Sequence, residues 1–146
     1  MNMEETFIQF ELLSEDDDGS VQIGITSSNS IYSSNEDCYL WPMELQNFGR
    51  ELKSFPKSRD QEVIFQNGVE SKDHYSFILL RAFVYSSNGR SALEVKMNSN
   101  KTNELKRIAN YCIQCEIASL NRLGQELVNW DIVKEKVFKF EFPRAG

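Results

Sequence analysis

One histidine, three cysteines and three prolines are all that the 146 residues contain of the side chains most often found at catalytic triads, metal sites and chain breaks. His74 stands in a polar connector beside Asp73 without a nucleophile-elbow pattern, so a histidine-based triad would need a serine delivered by the fold. A surface histidine at a strand start is the plain alternative. Cys38, Cys112 and Cys115 are odd in number, which excludes a complete pairwise disulfide framework and fits a reducing compartment. Cys112 and Cys115 have the spacing of a redox or zinc pair. They fall in an alternating segment whose positions three apart face opposite sides, however, and no second pair accompanies them. Gly19 and Gly24 are isolated and no lysine follows them as in a phosphate loop. No cofactor or metal site is therefore expected. No apolar run approaches about eighteen residues, and MNMEETFIQF has neither a basic flank nor a hydrophobic stretch, so neither a membrane span nor a secretion leader is expected and the cytoplasm is the expected location.

Basic charge is missing from the first third. Residues 1–49 hold ten acidic side chains and no lysine or arginine, whereas residues 50–146 hold sixteen basic and twelve acidic ones, giving a formal charge of −6. Such polarity repels nucleic acid and favours a basic partner, unless the first strands lie against the basic part and pair with it inside the fold. The densest acidic run is Glu15, Asp16, Asp17 and Asp18. It lacks the twelve-residue pattern and closing glutamate of a calcium loop and reads as a solvated turn.

The 40% apolar and 12% aromatic content supports one domain over residues 1–146 with a core of its own. Alternation predicts strands over 6–13 and 21–25, joined at Asp18-Gly19. The stretch TSSNSIYSSNEDCYL reads as a loop with a short strand at 38–40, and EVIFQNG supplies another strand. In HYSFILLRAFVYSSNGRSALEVKMN, Asn88-Gly89 predicts a two-residue type I′ hairpin turn that sets Val84 opposite Leu93, Ala82 opposite Val95 and Leu80 opposite Met97. Valine at Gly89 is accordingly expected to harm folding more than valine at Ser99 in the following loop. Residues 109–117 alternate again, and VFKFEF reads as an edge strand. The second face of the hairpin carries Phe77, Leu79, Arg81, Phe83 and Tyr85 beside Glu94 and Lys96. Aromatic and basic side chains on a sheet can stack bases, but two basic groups mixed with Glu94 in an acidic chain argue against nucleic acid. A helix of the protein covers this face, or it is a protein-binding patch.

Two segments share one pattern. LQNFGRELKSF (45–55) and LNRLGQELVNW (120–130) both read Leu-x-x-apolar-Gly-x-Glu-Leu-x-x-aromatic, 75 residues apart. Each predicts an amphipathic helix, the first opening at Pro42 and closed by Pro56, the second capped by Ser119. Gly49 and Gly124 lower helix propensity by about 0.8–1 kcal/mol each, which close packing of each helix on a sheet would offset. Internal duplication and convergence on the same packing requirement both explain the repetition. The expected fold is α+β, mainly antiparallel, with Leu52 and Leu127 buried where the two helices cover the sheet.

The order helix LQNFGRELKSFP, strand EVIFQNG, hairpin LLRAFVYSSNGRSALEVKMN, strand YCIQCEIA and helix LNRLGQELVNW resembles small bacterial proteins grouped with the WapI-type immunity proteins. The resemblance spans roughly residues 5–142 and implies a cytoplasmic protein that binds and neutralises a toxin domain. It supplies no catalytic motif. The expectation is a non-enzymatic protein-binding domain, an immunity protein among the candidates. A structural or regulatory component and an enzyme of unrecognised kind are the alternatives. The expected partner is a protein such as a basic toxin domain, with no nucleic acid, membrane or cofactor involved. The candidate contact residues are Glu15, Asp16, Asp17 and Asp18 for electrostatic attraction, and Arg81, Phe83, Tyr85, Glu94 and Lys96 for a central contact.

Overall fold

A computed structural model of the chain describes residues 5–143; positions 1–4 and 144–146 of the expected 1–146 domain lie outside the described residues. Among these residues eight strands and two α-helices follow in the order β1 (Thr6–Glu15), β2 (Val21–Asn29), β3 (Ser33–Leu40), α1 (Pro42–Lys53), β4 (Val63–Asn67), β5 (Phe77–Val84), β6 (Ser91–Asn98), β7 (Ile108–Cys115), α2 (Ile117–Asn129) and β8 (Val137–Glu141), with a short 3-10 helix at Asn103–Leu105. The fold is α+β, as expected. A single sheet under two helices is not what forms, because the strands make two four-stranded antiparallel sheets, ordered β3-β2-β1-β8 and β4-β5-β6-β7. Alternation explains the layering. Ile8, Phe10, Ile23 and Ile25 point inward from the first sheet, and Ile78, Leu80, Leu93, Val95 and Ile113 from the second, into one core shared with the helices. Full burial of such a side chain is worth about 1.5–3 kcal/mol.

The repetition extends from the helices to the whole topology. The halves β1-β2-β3-α1-β4 and β5-β6-β7-α2-β8 have the same order of elements, and the last strand of each half crosses over: β4 pairs with β5, and β8 with β1.

The helices pack primarily on each other at the two glycines, rather than using those glycines against a sheet. A Cβ on Gly124 would lie 2.5 Å from the carbonyl oxygen of Gly49, and one on Gly49 would lie 2.8 Å from the carbonyl oxygen of Gly124. Leu45, Phe48 and Leu52 of α1 are buried, as are Leu120, Leu123 and Leu127 of α2. Asn121 of α2 donates from Nδ2 to the carbonyls of Leu52 (2.8 Å), near the end of α1, and Phe55 (2.7 Å), just beyond it.

Three local expectations change. The β5–β6 connection is longer than a two-residue turn: Tyr85 N–H donates to the Arg90 carbonyl, and only Gly89 takes a positive φ, +81°. The register therefore slips by two residues, to Val84–Ser91, Ala82–Leu93, Leu80–Val95 and Ile78–Met97, which keeps every side chain on its expected face. Ser119 does not cap α2, which starts at Ile117 after Glu116, and it is buried in the first turn. The loop expected over TSSNSIYSSNEDC is a hairpin instead, with Ser30 at φ +76° in its turn. Its inward positions are polar but satisfied. Tyr111 donates its hydroxyl proton to the Ser27 carbonyl (3.0 Å), which leaves its oxygen to accept from the Ser27 and Ser34 hydroxyls. Glu36 points inward and is held by Arg107 through Nε–Oε1 (2.9 Å) and Nη2–Oε2 (3.3 Å).

Candidate protein-binding site

The acidic run forms the ordered tip of the β1–β2 hairpin. Asp16 N–H donates to the Ser20 carbonyl (2.9 Å) and Gly19 N–H to that of Asp16 (3.1 Å), with Gly19 at φ +94° as the turn requires. Ser20 ties two of the carboxylates together: its N–H (2.9 Å) and Oγ (2.7 Å) donate to Asp18 Oδ1, and its Oγ also lies 3.2 Å from Asp16 Oδ2. These hydrogen bonds hold the Asp18 carboxyl below the usual aspartate range. Glu15, Asp16, Asp17 and Asp18 are all exposed, and among the described residues no lysine or arginine bridges them. Part of the acidic excess of the first third is nonetheless neutralised within the fold, by Arg107 at Glu36 and Lys139 at Glu5. Glu4, counted in that excess, lies outside the described residues.

Exposed apolar side chains that sequence reading did not single out lie at this tip and on the neighbouring strand β3. A Cβ on Gly19 would sit 3.7 Å from the Trp41 ring. Leu13, at a register shift in β1, lies over Gly24, where its nearest methyl would be 3.4 Å from an added Cβ. Tyr39 projects from the outer face of β3 and meets Tyr75 at 5.3 Å in an edge-on pair. Leu13, Tyr39, Trp41 and Tyr75 are each about half exposed. The 69–76 connector is fastened to β3 by two hydrogen bonds, and the end of β4 by a third. Tyr75 Oη donates to Asp37 Oδ2 (2.7 Å), Ser76 Oγ to the Asp37 carbonyl (2.7 Å), and Asn67 Nδ2 to the Tyr39 carbonyl (2.9 Å). Donation to the Asp37 carboxylate pushes the Tyr75 hydroxyl up to about 12. Exposed aromatic residues alternating with buried ones in DCYLW were the available signal, and nothing local announced that Tyr75 would join them.

The second candidate group sits on the outer face of the other sheet, and no hydrogen bond or ion pair links it to the acidic tip. Arg81 faces Glu94 across the β5–β6 ladder and donates to it from Nε (2.8 Å), while its Nη1 donates to Glu62. Its Cζ lies 4.1 Å from the Phe83 ring centroid, and Phe83 meets Tyr85 at 6.4 Å. Burial opposes the Arg81 charge, but the two glutamates outweigh it and raise the guanidinium's pKa. Lys96 lies beside Leu79 on the same face. Neither helix covers this surface, on which Ile64, Tyr85 and Cys112 are exposed. Its principal cation is already committed to two carboxylates and a ring. That leaves a charge-balanced surface suited to apolar contact more than to attraction.

The three cysteines are free thiols. Cys112 is exposed, whereas burial pushes Cys38 and Cys115 each up to about 12, which keeps those two protonated and unreactive at neutral pH. Among the described residues no group of three His, Cys, Asp or Glu side chains converges as a metal site, and no helix is long and apolar enough to cross a membrane. No family model and no curated protein matches the chain.

Proposed function

We propose that the protein acts by stoichiometric binding of a basic protein partner, through the acidic hairpin and the aromatic surface beside it. The observation that carries this reading is a hydrogen-bonded, unneutralised run at Glu15–Asp18 with exposed Leu13 and Trp41 beside it and the exposed Tyr39–Tyr75 pair on the outer face of β3. The two parts serve different steps. Charge accelerates encounter and fades with salt, because exposed charges beyond about 8 Å are screened at physiological ionic strength. Aromatic rings that become desolvated lengthen residence, and truncating a true hot spot costs about 2 kcal/mol or more. The resemblance in element order to WapI-type immunity proteins, which no family match supports, leads us to favour a toxin domain as the class of partner. A basic, nucleic-acid-binding toxin fits the charge, with the hairpin carboxylates standing in for phosphates.

Affinity capture from the native cell, followed by calorimetry and stopped-flow mixing of the purified pair, tests this. Wild type should form a one-to-one complex. Replacing residues 15–18 with serine should slow association about tenfold at low salt, remove most of its salt dependence and leave the fold unchanged. Reproducible turnover of a small molecule by the purified protein, or an association rate indifferent to those four substitutions, would overturn the proposal.

A further inference from the structure

Steering by charge does not explain where a partner's cation comes to rest. At the junction of β3 with the 69–76 connector, by contrast, a carboxylate and two rings are already fixed together. Tyr39 is 49% exposed and Tyr75 52% exposed, and their edge-on pair stands beside the Asp37 carboxylate. Asp37 is fixed from two sides, since Oδ2 accepts from Tyr75 Oη (2.7 Å) and Gln22 Nε2 (2.5 Å). Its other oxygen, Oδ1, accepts no hydrogen bond among the described residues. The backbone on both sides is pinned by Ser76 and Asn67. One cation is already drawn to this place: Lys101 Nζ stands 5.6 Å from the Tyr75 ring centroid, near the outer limit of about 6 Å for a cation–π contact.

We propose that Tyr39, Tyr75 and Asp37 form a cradle for one cationic side chain, arginine or lysine, of a basic protein partner, with Lys101 as its resident competitor; this rests on the binding function proposed above. The ring quadrupoles attract the cation's charge, and the free lone pairs of Asp37 Oδ1 accept its N–H. Because the three side chains are already held together, little ordering remains to be done on binding. Lys101 is exposed and sits at the edge of contact distance, so an incoming cation displaces it at small cost.

The test is a nuclear magnetic resonance titration of the full chain with a hexa-arginine peptide and, in parallel, a hexa-lysine peptide. Saturable shifts should centre on Tyr39, Tyr75 and Asp37. Tyr39→Leu and Asp37→Asn should each weaken binding about fivefold or more, and Lys101→Ala should strengthen it about twofold by removing the competitor. If Tyr39→Leu does not fold, Tyr75→Leu repeats the measurement from the other ring. Tighter binding of the arginine peptide assigns a guanidinium and tighter binding of the lysine peptide an ammonium, both in support of the cradle. Unchanged affinity in Tyr39→Leu, with shifts confined to residues 15–18, would overturn the cradle and leave the acidic-surface function standing. Weaker binding in Lys101→Ala would also overturn it, by making Lys101 part of the seat. An association rate with the captured partner that is indifferent to replacement of residues 15–18 is a separate result and counts against the function itself.

Discussion

Gly124 touches backbone that cannot move aside, and this reverses the effect expected of a routine helix-stabilising substitution. At an open helical site, glycine to alanine gains about 0.8–1 kcal/mol. Here the new Cβ would meet the Gly49 carbonyl oxygen at 2.5 Å and the Lys53 nitrogen at 2.7 Å, so the helices must separate. Gly124→Ala should therefore destabilise the domain by about 1–3 kcal/mol in urea unfolding, in the range of other overpacked cores. Gly49→Ala should be milder, since its closest contact is 2.8 Å and the next two are side chains. A raised midpoint in Gly124→Ala would show that the helices do not meet there. The sequence expectation for Gly89 and Ser99 also inverts. Nothing lies within 4 Å of a Cβ on Gly89, whereas the buried Ser99 hydroxyl donates to the Leu105 carbonyl (3.1 Å) and accepts from the N–H of Arg107 (3.0 Å). Ser99→Val strands both groups and should cost about 2 kcal/mol or more, against about 1–2 kcal/mol for valine at the positive φ of Gly89; thermal melts of the two variants decide the order.

At the scale of elements, the helices, β4 and the β5–β6 pair were legible because their apolar residues recur with the period of the structure they form. The second half of β2 and most of β3 were not, because hydroxyls and a carboxylate occupy their inward positions. Ser27, Ser34 and Glu36 look like loop residues until Tyr111 and Arg107, more than seventy positions away, supply their partners. Separation along the chain also hid half the candidate site. The acidic turn is contiguous and was visible, but Asp37 and Tyr75 are 38 residues apart and meet only because the connector docks on β3. The hairpin's dependence on remote partners predicts its weakness. Arg107→Ala would leave the Glu36 carboxylate buried and unpaired, and since Arg107 is itself 55% exposed the loss should be on the order of 2 kcal/mol, below the 3–5 kcal/mol of fully buried pairs. Arg107→Ala combined with Glu36→Gln should recover much of that loss. A single variant as stable as wild type in chemical denaturation would mean that solvent already reaches Glu36.

Across the whole molecule, two halves of identical topology might be thought to unfold as two units, yet their connections forbid it. β4, the last strand of the first half, completes the sheet of the second; β8, the last strand of the second half, completes the sheet of the first. Neither sheet keeps its four strands if the other half melts. The glycine contact between α1 and α2 and the Asn121 hydrogen bonds to the end of α1 fasten the halves again, and one hydrophobic core runs through both. The domain should accordingly unfold in a single cooperative transition despite its internal repeat, with calorimetric and van't Hoff enthalpies equal and with tryptophan fluorescence and circular dichroism giving coincident curves. Both tryptophans serve as reporters, Trp41 at the start of α1 and Trp130 at the end of α2. Two resolved transitions, or a fluorescence midpoint displaced from the dichroism midpoint, would show that the crossed strands do not couple the halves.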